Sequence, residues 1–343
     1  MNPRRLRQKA QLNLTDKKTE GKALRYYIGI DGGGTKTAMC AVSVDDFVLR
    51  YAKTSGSSWR EHGVTKVVQS FKKTISNLIG EDFGQIAGIA MGLPCHGESA
   101  DGDRALEQVI HEAFADVPIY FTNDVEVGWA GSMALEPGIN VVAGTGSIAF
   151  GKDVYGNTAR SGGWSEFFGD EGSCYWMGRK VMELFSKQSD GRCPKDELYQ
   201  TVRREFGLKD DFSFIDLAYE YSAYREQVAS LQFLAEKAAR AGAPSAIALY
   251  REAVQELVLL VSAVRNKLDF SEKPFTVSYS GGLFKAGDII LNQFSEEIEK
   301  DGGKLLPPQF EPVQGAVLLA FQNFCPEGLS QIQGVMRETA DIT

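Results

Sequence analysis

The segment Asp31-Gly-Gly-Gly-Thr-Lys-Thr37 contains residue types that bind phosphate. Glycine lets the backbone approach a bulky anion and adopt positive φ, and successive N–H groups can then point at phosphate oxygens. The hydroxyls of Thr35 and Thr37 can add donors. A simple hairpin turn is the alternative, because Gly-Gly is common there too. Three glycines flanked by Asp and by Thr-Lys-Thr exceed what a turn requires, so we interpret the segment as a phosphate-binding hairpin.

A second glycine turn, Gly144-Thr-Gly-Ser147, has the same surroundings as the first. Each turn lies between two short apolar segments that predict strands. A Walker loop is excluded, because that motif leads from a strand into a helix and here a strand follows. The sequence also lacks the Gly-rich loop, H-R-D and D-F-G set of protein kinases. The second turn is weak alone, but the pair predicts two phosphate-binding hairpins that face a shared cleft.

Asp124 is the candidate catalytic residue. It follows Thr122 and Asn123 at the end of a predicted strand, and the carboxyl ends of strands are where ligand sites collect in α/β proteins. A carboxylate there could accept the proton of a substrate hydroxyl. The alternative is a structural role, because Asp is also a favoured N-cap of a following helix.

Residues 161–172, Ser-Gly-Gly-Trp-Ser-Glu-Phe-Phe-Gly-Asp-Glu-Gly, are dense in glycine and polar groups. Trp164 is either a core residue or an aromatic platform that stacks on a sugar. Asp170 and Glu171 precede a predicted helix, where capping is the structural alternative. Further along, Gly281 and Gly282 follow a predicted strand and would let a flat ring approach the backbone, although a plain turn fits equally well.

Apolar periodicity predicts the elements that position these residues. In the first third we expect strands at 25–30, 38–44, 47–52, 86–91 and 118–122 and helices at 64–79 and 104–114. The plan then restarts with strands at 139–143 and 148–151, largely helical segments at 171–187 and 211–268, a strand at 275–280, a helix up to residue 298 and a last helix at 313–324. The repeated strand, glycine turn and strand indicate a structural echo between two halves.

Length and composition limit the protein class. The 343 residues suffice for two domains and a sizeable core. With 43% apolar and 24% charged residues, disorder is excluded as the main state, and no apolar run is long enough for a spanning helix. The net charge of −8 argues against nucleic acid as the main partner. Only residues 1–24 are basic, and we predict that they form a flexible tail.

Cysteine and histidine usage points to a cytoplasmic protein without a metal centre of its own. The five cysteines form no C-x-x-C motif, as expected for reduced thiols in a cytoplasm. The three histidines lack ligand-like spacing. A His-based metal site and a Ser-His-Asp triad are therefore not expected.

Five motifs in the order YIGIDGGGTKT, TND, VVAGTGSIAFG, SGGW…GDEGS and VSYSGG resemble one known family. This is the N-acetylglucosamine kinase and BadF/BadG/BcrA/BcrD group of the actin, hexokinase and Hsp70 ATPase superfamily. The resemblance covers residues 26–324 and implies an α/β fold of two RNase H-like domains around a cleft, the second enlarged by helices. The implied domains are residues 25–134 with 313–337, and residues 135–312.

The resemblance also implies roles for single residues. The phosphates of ATP would be held by Gly32, Gly33, Gly34, Thr35, Lys36, Gly144, Thr145, Gly146 and Ser147. Adenosine would lie against Gly281 and Gly282, Asp31 would face magnesium through water, and Asp124 would be the base. The sugar would contact Ser58, Asn123, Gly162, Gly163, Trp164 and Asp170. The run 56–60 is a departure, because Ser58 or Trp59 stands where the family often has an Asn.

The function implied by the resemblance is an ATP- and magnesium-dependent kinase for a hydroxyl of an amino sugar. N-acetylglucosamine is the expected substrate, with glucosamine and N-acetylmuramate as alternatives. A rival is an ATPase that activates a redox partner of the 2-hydroxyacyl-CoA dehydratase kind through an iron–sulfur cluster, although the cysteine spacing is not cluster-like. A sugar sensor with a DNA-binding helix-turn-helix is a third, for which residues 1–24 are too short. The expected partner is a small sugar, not nucleic acid or a membrane, and a homodimer is left open.

Overall fold

The computed structural model describes residues 25–270 and 274–340 of the chain. The predicted flexible tail, residues 1–24, lies outside the described residues, so that prediction is untested. None of the described helices is long and apolar enough to cross a membrane.

The first mixed sheet contains β1 (Tyr26–Gly32), β2 (Lys36–Ser43), β3 (Leu49–Ser55), β4 (Ile86–Leu93) and β5 (Ile119–Asn123). The spatial order is β3-β2-β1-β4-β5. The first three strands form an antiparallel meander, whereas β4 and β5 extend the sheet in parallel from β1. The central β1 is almost entirely buried, as its apolar run predicts. The carboxyl ends of β1, β4 and β5 therefore meet at one edge of the sheet.

The second mixed sheet repeats this plan. Its strands are β6 (Gly138–Ala143), β7 (Ser147–Lys152), β8 (Thr158–Gly162), β9 (Phe275–Ser280) and β10 (Gly303–Leu305), in the order β10-β9-β6-β7-β8. Again three strands form an antiparallel meander, and two further strands join in parallel. The structural echo predicted from the two glycine turns is confirmed, as is the α/β class.

Thirteen α-helices are present in the described part of the chain. In the first half they are α1 (Trp59–His62), α2 (Val64–Ile79), α3 (Ala100–Ala113) and α4 (Asp124–Ser132). In the second half they are α5 (Cys174–Ser189), α6 (Glu197–Phe206), α7 (Phe214–Ser222), α8 (Arg225–Ser230), α9 (Gln232–Arg240), α10 (Pro244–Arg265), α11 (Asp288–Lys300), α12 (Pro312–Phe324) and α13 (Leu329–Ala340). The elements that the sequence analysis did not predict are β8, β10, α1, α6 and α13, and it gave α4 only within the capping alternative for Asp124.

Helix α12 lies directly on the first sheet. A methyl group at Gly29 of β1 would approach the Ala316 carbonyl carbon to 2.8 Å, and one at Gly315 would approach the Gly131 Cα of α4 to the same distance. Only glycine permits these backbones to come so close. The contact joins the start and the end of the described chain, but the domain boundaries after residues 134 and 312 stay a prediction.

We expect Gly315→Ala to lower the free energy of unfolding by about 1–3 kcal/mol, because the new methyl group would overlap the backbone of α4. Gly334→Ala in α13 is the matched control. A methyl group there has no atom within 4 Å, and we expect it to be neutral or stabilising. Urea unfolding of both variants measures the difference. Equal stabilities would contradict the close packing of α12 on α4.

Candidate functional site

The first glycine turn connects β1 and β2 and rests on the loop at residues 56–58. The Gly33 N–H donates to the Lys36 carbonyl at 3.0 Å, and the Ser57 N–H donates to the Gly33 carbonyl at 2.9 Å. Ser58 is buried in this supporting loop. Its predicted contact with a sugar stays a prediction, while its observed position is beside the turn.

The second glycine turn connects β6 and β7 and is held by the start of α5. The N–H groups of Cys174 and Tyr175 donate to the carbonyls of Gly144 and Thr145 at 2.9 and 3.4 Å. The Ser147 hydroxyl donates to the Glu171 carbonyl at 2.6 Å. Three hydrogen bonds to residues 171–175 therefore hold the turn in place.

Some of the N–H groups expected to face phosphate are already engaged within the turns. The Gly33 N–H closes the first turn, and the Gly144 N–H donates to the Gly146 carbonyl at 2.9 Å. The predicted contact of Gly33 and Gly144 with phosphate therefore stays a prediction that their N–H groups do not serve in this structure. The neighbouring groups of Gly34, Thr35, Thr145 and Gly146 are the better candidates.

Gly281 lies against the second turn. Its φ is +105°, and a methyl group there would lie 2.7 Å from the Gly144 nitrogen. A side chain at 281 would therefore displace the turn, so glycine is required. Gly281 and Gly282, the residues expected beside adenosine, accordingly border the predicted phosphate site.

Helix α8 connects the two turns. The Thr35 hydroxyl of the first turn donates to Glu226 Oε1 at 2.7 Å, and this bond lowers the pKa of Glu226. The preceding residue, Arg225, pairs with Asp170 beside the second turn. A methyl group at Gly146 would lie 2.7 Å from Asp170 Oδ2 and 2.8 Å from Arg225 Nη2. Adjacent residues of α8 thus bridge the two turns, and the shared cleft stays a prediction.

The structural alternative for Asp170 is wrong. Ser173 is the N-cap of α5, with its side chain accepting from the Trp176 N–H at 3.1 Å. The Asp170 side chain is only 3% exposed. Burial raises its pKa, and the Arg225 guanidinium opposes this shift. Asp170 therefore holds Arg225 rather than capping a helix, and its predicted contact with a sugar stays a prediction.

Asp31 and Asp124 lie close together at the edge where β1, β4 and β5 end. Asp31 is paired across the sheet with Gly92, and Gly92 with Thr122. Burial and the Asp124 charge raise the pKa of Asp31 to about 7, and Lys36 opposes this shift. Burial also raises the pKa of Asp124 to about 6. Two partly buried carboxylates at one sheet edge are poised for proton transfer and cation binding.

Asp124 is not the N-cap of α4, so that alternative is wrong. Asn123 occupies the cap position, and its side-chain oxygen accepts from the Val125 N–H at 3.1 Å. The Asn123 amide nitrogen donates to the His96 carbonyl at 2.7 Å. Both ends of the amide are thus engaged within the protein. Asn123 orients the start of α4, and its predicted contact with a sugar stays a prediction.

Three charged side chains that the sequence analysis missed lie near Asp124. Glu98, after β4, lies 3.5 Å from Arg60 of α1 and 3.9 Å from Arg160 of β8. The Glu98 charge raises the pKa of Asp124 further, and the Arg160 charge lowers it. No local sequence signal joins residues 60, 98 and 160, because a helix, a loop and a strand from separate parts of the chain bring them together. We call these three residues the arginine–glutamate cluster.

The stretch expected to bind a sugar begins at the second turn. Gly162 is paired with Ile148, and the Gly163 N–H donates to the Ser147 carbonyl at 2.9 Å. Trp164 follows and is 66% exposed, so the core alternative for this residue is wrong. An exposed indole beside the cleft is available for stacking on a ring.

Asp31 fits a magnesium ion. Mg²⁺ takes oxygen ligands and typically binds through one or two carboxylates, with phosphates and water completing its shell. A cation would relieve the repulsion that raises the pKa of Asp31. Among the described residues, no group of three or more His, Cys, Asp and Glu side chains could hold a metal. The donor set therefore suits an ion that arrives with a nucleotide.

Comparison with known proteins gives consistent matches over most of the chain. An N-acetylmuramic acid/N-acetylglucosamine kinase of Clostridium acetobutylicum is 29% identical, over 87% of this chain and 98% of that protein. An N-acetyl-D-glucosamine kinase of Dictyostelium discoideum is 27% identical, with the same coverage. A crystal structure from Chromobacterium violaceum, provisionally named an N-acetylglucosamine kinase, matches with a TM-score of 0.69 and 27% identity, over 87% of this chain and 99% of that one.

These matches confirm the actin-like ATPase fold that the motifs predicted. The model of the BadF/BadG/BcrA/BcrD ATPase family matches residues 28–320, which include both glycine turns, Asp31 and Asp124. The protein described here belongs to the BadF/BadG/BcrA/BcrD ATPase family.

Proposed function

We propose that the protein is an ATP-dependent kinase that phosphorylates a hydroxyl of an amino sugar, with N-acetylglucosamine as the preferred substrate. The observation that carries the proposal is the position of Asp124, beside Asp31 at the sheet edge. The two opposed glycine turns supply a nucleotide site next to it. The names of the relatives, all sugar kinases, support the same reaction.

In this proposal the sugar hydroxyl lies against Asp124 and the triphosphate lies between the turns. The hydroxyl oxygen attacks the γ-phosphorus, the bond to the β,γ-bridging oxygen breaks, and Asp124 takes the hydroxyl proton. With a pKa of about 6, Asp124 is mostly ionised at neutral pH and yet more basic than an ordinary carboxylate. A magnesium ion held through Asp31 would neutralise charge on the phosphates.

The rival function, activation of a redox partner, has less support. That function needs cysteines that bind an iron–sulfur cluster. The two relatives described above, from Clostridium acetobutylicum and Dictyostelium discoideum, are named as sugar kinases. The five cysteines are all free thiols, which supports our proposal of a cytoplasmic location. A homodimer stays a prediction.

The function is tested by ADP release with purified protein, ATP, magnesium and a panel of sugars. We expect kcat/KM for N-acetylglucosamine to exceed that for glucose by at least ~10-fold, because one well-placed polar contact to the acetamido group gives that discrimination. Glucosamine tests whether the acetyl group is read. A preference for glucose or glucosamine would overturn the substrate assignment, and no ADP release with any sugar would overturn the kinase function.

We expect Asp124→Asn to lower kcat by at least ~10²-fold, since the proton acceptor is lost while size is kept. The melting temperature at neutral pH should not fall. A carboxyl group with a raised pKa makes the folded state less stable as pH rises from 3.8 through about 6, and Asn removes that effect.

The matched control for this substitution is Asp288→Asn. Asp288 is also the first residue of a helix, α11, but it is exposed and lies outside the candidate site. It should leave kcat and nucleotide affinity unchanged. A nearly normal kcat for Asp124→Asn, beside an active wild type, would refute the base assignment.

The arginine–glutamate cluster favours a second candidate, an amino sugar that carries a carboxylate, such as N-acetylmuramate. Two guanidinium groups share one carboxylate at 3.5 and 3.9 Å, longer than the 2.7–2.9 Å of a charge-assisted hydrogen bond. Neither arginine therefore forms a close ion pair with Glu98. A substrate carboxylate near Asp124 could pair with Arg160 and replace Glu98 as its partner.

We expect Arg160→Gln to lower the ratio of kcat/KM for N-acetylmuramate to that for N-acetylglucosamine by at least ~10-fold, because only the acidic sugar would lose an ionic hydrogen bond. The assay is run at about pH 8, where Asp124 is ionised with or without Arg160. Arg192→Gln, an exposed arginine paired with Asp190, is the control. An unchanged ratio, or a wild type that rejects N-acetylmuramate, would exclude this candidate.

A further inference from the structure

Arg225 and Glu226 are adjacent residues of α8 that contact opposite walls of the nucleotide cleft. Glu226 accepts a hydrogen bond from Thr35 of the first turn. Arg225 pairs with Asp170, and its Nη2 atom would lie 2.8 Å from a methyl group at Gly146 of the second turn. The guanidinium group therefore rests on the backbone of the second turn.

We propose that Arg225 is a catalytic residue that binds the phosphoryl group during transfer. The proposal rests on the proposed function, because it takes the two glycine turns as the site of the triphosphate. The sequence motifs assign no role to this residue.

The ion pair with Asp170 fixes the position of the Arg225 side chain. The Asp170 side chain is 3% exposed, whereas that of Arg225 is 38% exposed. One end of the guanidinium group is thus anchored in the protein and the other reaches solvent in the cleft. An arginine has five N–H donors, so pairing with Asp170 leaves donors for a phosphate. Asp170 is a positioning residue in this arrangement.

The second partner of Arg225 is weakly held. The Arg225 Nε atom lies 3.3 Å from Glu166 Oε2, yet it is buried without a hydrogen bond of good geometry. The Nε atom is thus shielded from a phosphate, and the exposed part of the guanidinium group supplies the donors that are left for phosphate oxygens while Asp170 stays bound. The planar fork of a guanidinium group matches two phosphate oxygens.

The carboxylates around the two turns create a need for a cation that binds the phosphates. Asp170, Glu166 and Glu226 all lie near the turns, and each repels a triphosphate. Glu226 accepts a hydrogen bond from the Thr35 hydroxyl, which we expect to donate to the phosphates of ATP. ATP must therefore displace the Glu226 side chain. During transfer the sugar oxygen bonds to the γ-phosphorus, the bond to ADP breaks, and Asp124 takes the proton. Arg225 neutralises negative charge on the moving group throughout and is not itself consumed.

The test compares Arg225→Ala with wild type in the sugar-dependent ADP-release assay. We expect kcat to fall by at least ~10²-fold, the scale of a lost arginine at a transferring phosphoryl group. The KM for the sugar should change by less than ~3-fold, since in this proposal Arg225 binds the phosphoryl group and not the sugar. Added guanidinium ion, well below unfolding concentrations, should restore at least ~10-fold of the activity, and methylammonium should restore less, because only guanidinium has the planar fork.

Two further variants separate catalysis from folding. Arg225→Lys keeps a cation beside Asp170 and should fold like wild type, with kcat between those of wild type and Arg225→Ala. Arg192→Ala removes an exposed arginine elsewhere and should match wild type in kcat and melting temperature.

The outcomes are distinct. If Arg225→Ala and Arg225→Lys keep kcat within ~5-fold of an active wild type, the proposal is overturned and the kinase function stands. The proposal is also overturned if kcat, melting temperature and ADP affinity fall together in both variants without guanidinium rescue, which would mean that the Asp170 pair is only structural. An inactive wild type on every sugar would overturn the proposed function itself.

Discussion

The site depends on keeping two carboxylates, Asp31 and Asp124, at the same edge of the first sheet. The parallel pairing of β1, β4 and β5 places both carboxylates at this edge, because all three strands end there. Gly92 lies between them, and a methyl group at Gly92 would approach the Asp124 Cα to 3.3 Å while overlapping Val127. Burial raises both pKa values, and the Asp124 charge raises that of Asp31 further. The fold thus maintains a locally unfavourable charge arrangement, as expected of a functional site.

Most of the fold could be predicted from the sequence because its signals are local. The stripe over residues 64–79 coincides with α2, and the apolar runs around both turns coincide with strands. The elements that were missed had weaker apolar signals. β8 contains a single apolar residue, Ala159, and β10 has only three residues. Helix α6 is different, because it carries local signals at both ends, an Asp196 cap and Gly207 in the left-handed region.

The candidate site was predictable to the extent that its residues lie in motifs. Asp31 and Asp124 lie near each other and α8 contacts both glycine turns, while the roles of these residues stay predictions. The arginine–glutamate cluster and the bridge formed by Arg225 and Glu226 were not predictable, because they join residues far apart in sequence. Thr35 and Glu226, for example, are separated by 191 positions. Polar contacts of this kind depend on how the two sheets are placed, which no local pattern records.

The packing of α12 on β1 has a consequence for synthesis. The Tyr27 hydroxyl donates to the Phe324 carbonyl, 297 positions later. One face of the first sheet therefore lacks its cover until nearly all of the described chain has left the ribosome. Contacts between residues so distant in sequence form slowly, and an uncovered apolar sheet is prone to aggregation meanwhile. The nascent chain is thus exposed to mispairing for most of translation, and its yield in a cell depends on how long that apolar face is shielded by chaperones.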